Sequence, residues 1–212
     1  MKRLALLLLT LAVASPLGAT AQAPDELKIG EKTHALHSNP LRPIAETVMK
    51  RLPPSQVVSS DLWRGYIATF AVHDERLYLD DVRVPVSGDE DYRSVMKELF
   101  DDPAPRVATW YTGNLIVPTG ELVEYVHMGY ASTYSAYTIV TVVNGEVRKQ
   151  RELNQEEFEK FRRAQYEAWK KTPAYAEMLA ETKKGASSIS DEMAEEFVLR
   201  FASEEYMSRV ID

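Results

Sequence analysis

The sequence predicts an α+β fold, an antiparallel meander of about six strands with C-terminal helices packed on one face. Three observations point there. Residues 62–152 hold short runs of β-branched and aromatic residues separated by turn-forming clusters. From residue 154 onward the apolar spacing changes to the three-and-four rhythm of helices, with capping residues at each start. The chain has 212 residues, 45% hydrophobic and 27% charged, which suits one ordinary globular unit. That unit is expected over 61–212, helices included.

The segment before it reads differently. Met1-Lys2-Arg3 is a basic start, 4–14 is an apolar run, and Ala19-Thr20-Ala21 and Ala21-Gln22-Ala23 are small-x-small patterns. This is the pattern of a secretory signal peptide over 1–21, too short for a membrane span. Cleavage after Ala21 is favoured over cleavage after Ala23, which would leave Pro24 at the new N-terminus. Residues 22–60 contain Pro24, Pro40, Pro43, Pro53 and Pro54. Each removes a backbone donor and biases its predecessor away from helix, so an irregular arm is expected there. One short helix over 44–52 is expected within it, with Ile44, Val48, Met49 and Leu52 on one face.

Strands are expected over 62–72 and 77–86, joined by the polar loop His73-Asp74-Glu75-Arg76. A short amphipathic helix is expected over 91–100, because Tyr92, Val95, Met96, Leu99 and Phe100 are spaced 3, 1, 3 and 1. The next strand, 107–117, breaks near Gly113-Asn114. Strands 122–128, 134–143 and 146–152 follow, and Asn144-Gly145 between the last two favours a type I′ turn. Among the helices, Asn154 with Glu157 forms a capping-box-like start. Thr172-Pro173 ends one helix and opens the next. Ser190 is the N-cap of the last, whose packing face is expected to be Met193, Phe197 and Phe201.

Charge narrows the function. Removing Lys2 and Arg3 leaves 23 basic residues against 32 acidic ones, a net charge of −9. An acidic chain without a basic block is a poor candidate for nucleic acid or anionic lipid. No second apolar run approaches a membrane span, so the chain is expected to be soluble after export. With no cysteine, a disulfide framework, an iron–sulfur centre and a thiol nucleophile are excluded. His34 and His37 have a spacing that suits metal only on a helix, and no helix is expected there. Neither a metal nor another cofactor is expected.

The most informative block is 110–137, with five of the eleven tyrosines. Period two along 121–128 places Tyr125 and His127 on the face opposite Leu122, Glu124, Val126 and Met128. The more apolar set is expected to face the helices. Tyr125 and His127 are then expected on an open face, extended by Tyr130, Ser132 and Tyr134 and by Trp110 and Tyr111. Such side chains offer rigid apolar area with a polar tip. The alternative is that they are simply good strand residues. Gly129-Tyr130-Ala131-Ser132 lacks the second glycine and the helix of a nucleophile elbow. Arg64 shares parity with Leu62, Tyr66, Ala68, Phe70 and Val72, so a charge on an apolar face needs a partner, and Glu124 is the expected one.

Three segments carry a resemblance. Leu62-Trp63-Arg64-Gly65-Tyr66-Ile67-Ala68-Thr69-Phe70, Tyr125-Val126-His127-Met128-Gly129-Tyr130-Ala131-Ser132-Thr133-Tyr134 and His37-Ser38-Asn39-Pro40-Leu41 resemble a family of small bacterial proteins over 34–171, with Leu77-Tyr78-Leu79-Asp80-Asp81 as a further match. No established activity attaches to that family, so the resemblance implies no catalytic residue, only that the motifs belong to one unit. The expected function is an exported, soluble binding or protective protein of the bacterial envelope. A specific version is an immunity-type protein neutralising a basic toxin, with a protein or small ligand as partner. The alternative is an envelope hydrolase acting on glycans or peptides through a Tyr/His site.

Overall fold

Two type I′ turns organise the sheet. In the computed structural model, which describes residues 23–54, 62, 64–87, 91–126, 130–185 and 189–209, Asp74 and Glu75 take φ of 48° and 55°, and Asn144 and Gly145 take 50° and 80°. The first turn joins β3 (Ile67–His73) to β4 (Arg76–Ser87) and the second joins β10 (Ala136–Val143) to β11 (Glu146–Asn154). The hairpin tips clasp each other. Leu77 N donates to Gly145 O at 2.9 Å and Val147 N donates to Glu75 O at 2.8 Å. A Cβ on Gly145 would meet the Ala108 carbonyl at 3.0 Å, so both its φ and this close approach require glycine.

The expected irregular arm over 22–60 is corrected. Its first part is a hairpin, β1 (Asp25–Ile29) and β2 (Lys32–Leu36), and β1 runs parallel to β3 with Glu26 opposite Thr69. The sheet is therefore mixed, not a purely antiparallel meander of six strands. Its order is β2-β1-β3-β4-β11-β10-β7, where β7 is Gly113–Pro118. Short strands β5 (Asp91–Ser94) and β6 (Arg106–Val107) pair with β4. The two ends of this order approach each other, since His37 N donates to Ile116 O at 2.8 Å and Ile116 N donates to Ser38 Oγ at 3.2 Å. The sheet thus curls toward closure around Leu27, Leu36, Phe70, Leu77, Leu79, Leu115, Val140 and Val142, all buried. Burying each such side chain stabilises by about 1.5–3 kcal/mol.

Helices cover both sides rather than one. On the inner side α1 (Ala45–Arg51), inside the expected 44–52 helix, contributes Val48, and α2 (Met96–Leu99) contributes Met96 and Leu99. The expected helix over 91–100 is only this one turn, because 91–94 pairs with β4 instead. On the outer side, Ile116, Tyr137 and Ile139 meet α3 (Gln155–Trp169), α4 (Pro173–Gly185), α5 (Asp191–Phe201) and α6 (Ser203–Tyr206). The Tyr137 and Phe158 rings stack with centroids 3.4 Å apart. The capping box at Asn154 and Glu157 and the Ser190 cap form as expected.

The packing face of α5 is a second correction. Met193 is 62% exposed and Phe197 43%, whereas Ala194, Val198 and Leu199 are buried. The helix is turned by about one residue from the expected orientation. The 122–128 strand is also shorter than expected: among the described residues β8 (Leu122–Glu124) pairs with β9 (Thr133–Tyr134) in a separate two-stranded ribbon, and Leu122, Val123 and Glu124 are all exposed. The inner and outer faces assigned to that strand therefore do not exist. Among the described residues no helix is long and apolar enough to cross a membrane.

Candidate binding site around Arg64

Arg64 precedes β3 and, as its parity predicts, points inward with Leu62, Tyr66, Ala68 and Phe70, all buried. Its partner is Asp25 on the parallel strand β1, not Glu124, which pairs with Arg200 at 3.0 Å. The two guanidinium ends donate to the two carboxylate oxygens at 3.2 Å each, a bidentate fork. Ala68 N adds a third donor to Asp25 at 2.9 Å, and Arg64 also donates to Ala23 O at 3.1 Å. Asp25 is fully buried, and that burial pushes its carboxyl up to about 6 despite Arg64 beside it.

Asn39 relays this pair outward. Its Oδ1 accepts from Arg64 and, at 3.3 Å, from the Tyr130 hydroxyl. Its Nδ2 donates to Glu204 Oε2 on α6 at 2.6 Å. Burial raises the Glu204 carboxyl above the ordinary glutamate range. Next to it, Arg42 pairs with Glu205 at 2.6 Å. Asn39, Arg42, Ala45, Met49, Arg64, Tyr66, Glu204 and Glu205 line a groove of about 390 Å³ between α1 and α6. Charge within it is uneven. Arg64 cancels Asp25 and Arg42 cancels Glu205, but Glu204 forms no salt bridge among the described residues. Tyr66 is one wall, with the Arg64 guanidinium 5.5 Å from its ring centre.

Behind the groove, Tyr130 stacks on His37 with centroids 4.6 Å apart, and Tyr134 meets His37 edge-on at 5.7 Å. Burial lowers His37 to about 4, so the ring is neutral at physiological pH. Burial also holds the Tyr130 hydroxyl protonated and pushes Tyr66 up to about 12.

The residues expected from sequence fare unequally. Arg64, Tyr130 and Tyr134 converge here. Tyr125 is 61% exposed just past the end of β8. The Ser132 hydroxyl accepts from Val126 N and donates to Val126 O, which ties it into its own loop and leaves it no nucleophile's geometry. Trp110 and Tyr111 are structural: Trp110 Nε1 donates to Pro40 O and the buried Tyr111 hydroxyl donates to Asn114 O. Tyr111 is corrected from surface to interior, whereas Trp110 is half-buried against the inner core. His127 lies outside the described residues. Sequence reasoning missed Asp25, Asn39 and Glu204. Asn39 had a signal, since it sits in the His37-Ser38-Asn39-Pro40-Leu41 motif; Glu204 had none. No group of three or more acidic or histidine side chains suited to a metal ion occurs among the described residues.

Comparison of the chain with family models, curated proteins and solved structures gave no match.

Proposed function

We propose that the protein is an exported, non-catalytic binding protein of the bacterial envelope whose groove between α1 and α6 receives a cationic side chain of a basic partner. The single observation that carries this reading is the Glu204 carboxylate, held by Asn39 but in no salt bridge among the described residues, in a groove walled by Tyr66, Met49 and Ala45. A partly buried carboxylate is poorly solvated, so an incoming ammonium or guanidinium restores what burial removed. The apolar wall suits the aliphatic stem of lysine or arginine, and an aromatic face adds cation–π attraction. A net charge of −9 after leader removal steers such a partner toward the protein. An immunity-type protein that neutralises a basic toxin is the specific form of this reading.

Export itself is supported by the leader pattern alone; of the two cleavage sites, the one after Ala21 keeps the Ala23 carbonyl that Arg64 holds. The test is co-purification of the tagged mature protein from periplasm, with N-terminal sequencing of the bait. A basic protein captured by the wild type and lost with Glu204→Gln supports the reading, with Gln22 as the first residue. Capture of acidic proteins, or capture indifferent to Glu204→Gln, counts against it.

A further inference from the structure

A second groove lies on the opposite charge. It is an open cleft of about 750 Å³ between β11 and the start of α3, and Arg148, Lys149, Arg151 and Lys160 line it together with one acidic residue, Glu157. On a chain this acidic, such a concentration of cations stands out. Two of the four are already paired, Arg148 with Glu146 at 2.6 Å and Lys160 with Glu156 at 2.7 Å. Lys149 and Arg151 pair with no carboxylate among the described residues.

The strand register explains why these two face the cleft. Lys149 lies opposite Thr141 and Arg151 opposite Ile139, so both share the outer face that α3 covers. The register shifts between Thr141 and Val142, which bulges β11 at Arg148. Lys149 and Arg151 are two residues apart on one strand, about 7 Å. The Arg151 guanidinium lies 5.3 Å from the centre of the Phe161 ring, and its Nε is buried without a partner. That packing fixes the side chain and leaves the terminal nitrogens as the fork offered outward.

The rest of the lining is uncharged, apolar at Val143, Leu153, Phe161 and Ala164 and polar at Asn114, Thr141 and Gln165. Asn114 and Gln165 are 3% and 1% exposed. The Asn114 Oδ1 accepts from the Thr141 hydroxyl at 2.8 Å, and both side-chain amides donate to Arg209 O. Gln165 Oε1 accepts from no donor among the described residues, an acceptor left open in the lining of the cleft. A bare anion supplies no donor. A sugar carrying an anion supplies both, hydroxyls for the amide and hydroxyl groups of the lining and a carboxylate or phosphate for the cations.

We infer that this cleft binds an acidic glycan, a chain of sugars bearing carboxylate or phosphate groups, with Lys149 and Arg151 receiving the anions and Gln165 and Thr141 facing the hydroxyls. This site is separate from the Arg64 groove, and its failure leaves the proposed function standing.

Isothermal titration of the mature protein at low ionic strength, with hexagalacturonate, glucose 6-phosphate, neutral maltohexaose and a dT12 oligonucleotide as probes, tests it. One or both of the anionic sugars binds, the tighter naming the anion, while maltohexaose does not. Lys149→Gln/Arg151→Gln weakens that binding by about tenfold or more. Because Arg151 packs on Phe161, the exposed Lys149→Glu variant is measured alongside and loses affinity in the same direction. Binding by neither anionic sugar, equal binding of maltohexaose, preference for dT12, or affinity unchanged in both variants overturns the inference.

Discussion

Replacing Arg64 by methionine removes the guanidinium and leaves the Asp25 carboxylate with one donor, Ala68 N, in a site with no solvent access. Two hydrogen bonds of 3.2 Å disappear with the counter-charge. Removing one member of a buried pair costs about 3–5 kcal/mol, because the surviving charge is left uncompensated. Against a total stability of about 5–15 kcal/mol, that is a large fraction. The double variant Arg64→Met/Asp25→Asn deletes both charges while keeping an acceptor for Ala68 N, so it costs less than Arg64→Met alone. Urea denaturation with a common slope measures both. Acidity supplies a second arm. Burial already pushes Asp25 up to about 6, and losing Arg64 raises it further. A raised carboxyl binds its proton in the folded chain at a pH where the unfolded chain has released it. Its folded form therefore gains stability as pH falls through the folded pKa and loses it as pH rises. The deficit of Arg64→Met shrinks between pH 7 and pH 5. A deficit below about 1 kcal/mol, or a double variant that costs the sum of the singles, refutes this account of the pair.

Other outcomes follow from the same packing. His37 is lowered by burial from 6.5 to about 4, so the unfolded chain takes up a proton that the folded chain refuses, and acidification across that window removes about 3 kcal/mol; His37→Phe, which keeps a ring against Tyr130, flattens this acid limb in denaturation measured from pH 7 to 4. Gly145→Val places a β-branched residue at φ 80° against the Ala108 carbonyl and lowers stability by about 1–3 kcal/mol or more, read as a fall in melting temperature. Leu199→Ala costs about 2–5 kcal/mol while Phe197→Ala costs under about 1 kcal/mol, an ordering opposite to the one expected from sequence spacing and read in the same denaturation assay.

Local rules carried much of the fold. Asn144-Gly145, the Asn154 capping box and the Ser190 cap each depend on two to four neighbouring residues, and each formed where the sequence placed it. What failed depends on distant residues. Strand β1 is Asp25-Glu26-Leu27-Lys28-Ile29, charged at three of five positions, and its reason for being a strand is a parallel edge on β3 some forty residues away. No local pattern announces that. In α5 the apolar residues occupy two adjacent stripes, Met193-Phe197-Phe201 and Ala194-Val198-Leu199, and size favours the first. The outer face of the sheet takes the second, which leaves Phe197 at the rim of the cleft beside α4. At the candidate site, parity showed that Arg64 is inward and needs a partner. It did not show which carboxylate, since Glu124 and Asp25 both offer one and only the β1–β3 pairing brings one of them within reach. Glu204 arrives from the last helix, through a contact spanning 165 residues.

The proposed binding of a cationic side chain in the groove between α1 and α6 depends on Glu204. Titration of isotope-labelled mature protein with Nα-acetyl-arginine amide and Nα-acetyl-lysine amide, followed by backbone amide shifts, measures this directly. Saturable shifts centred on Asn39, Tyr66 and Glu204 are expected, absent with the neutral Nα-acetyl-norleucine amide and lost in Glu204→Gln. Because burial raises the Glu204 carboxyl, the shifts weaken as pH falls and that group takes up its proton. Shifts centred elsewhere, or shifts that persist in Glu204→Gln, would contradict it.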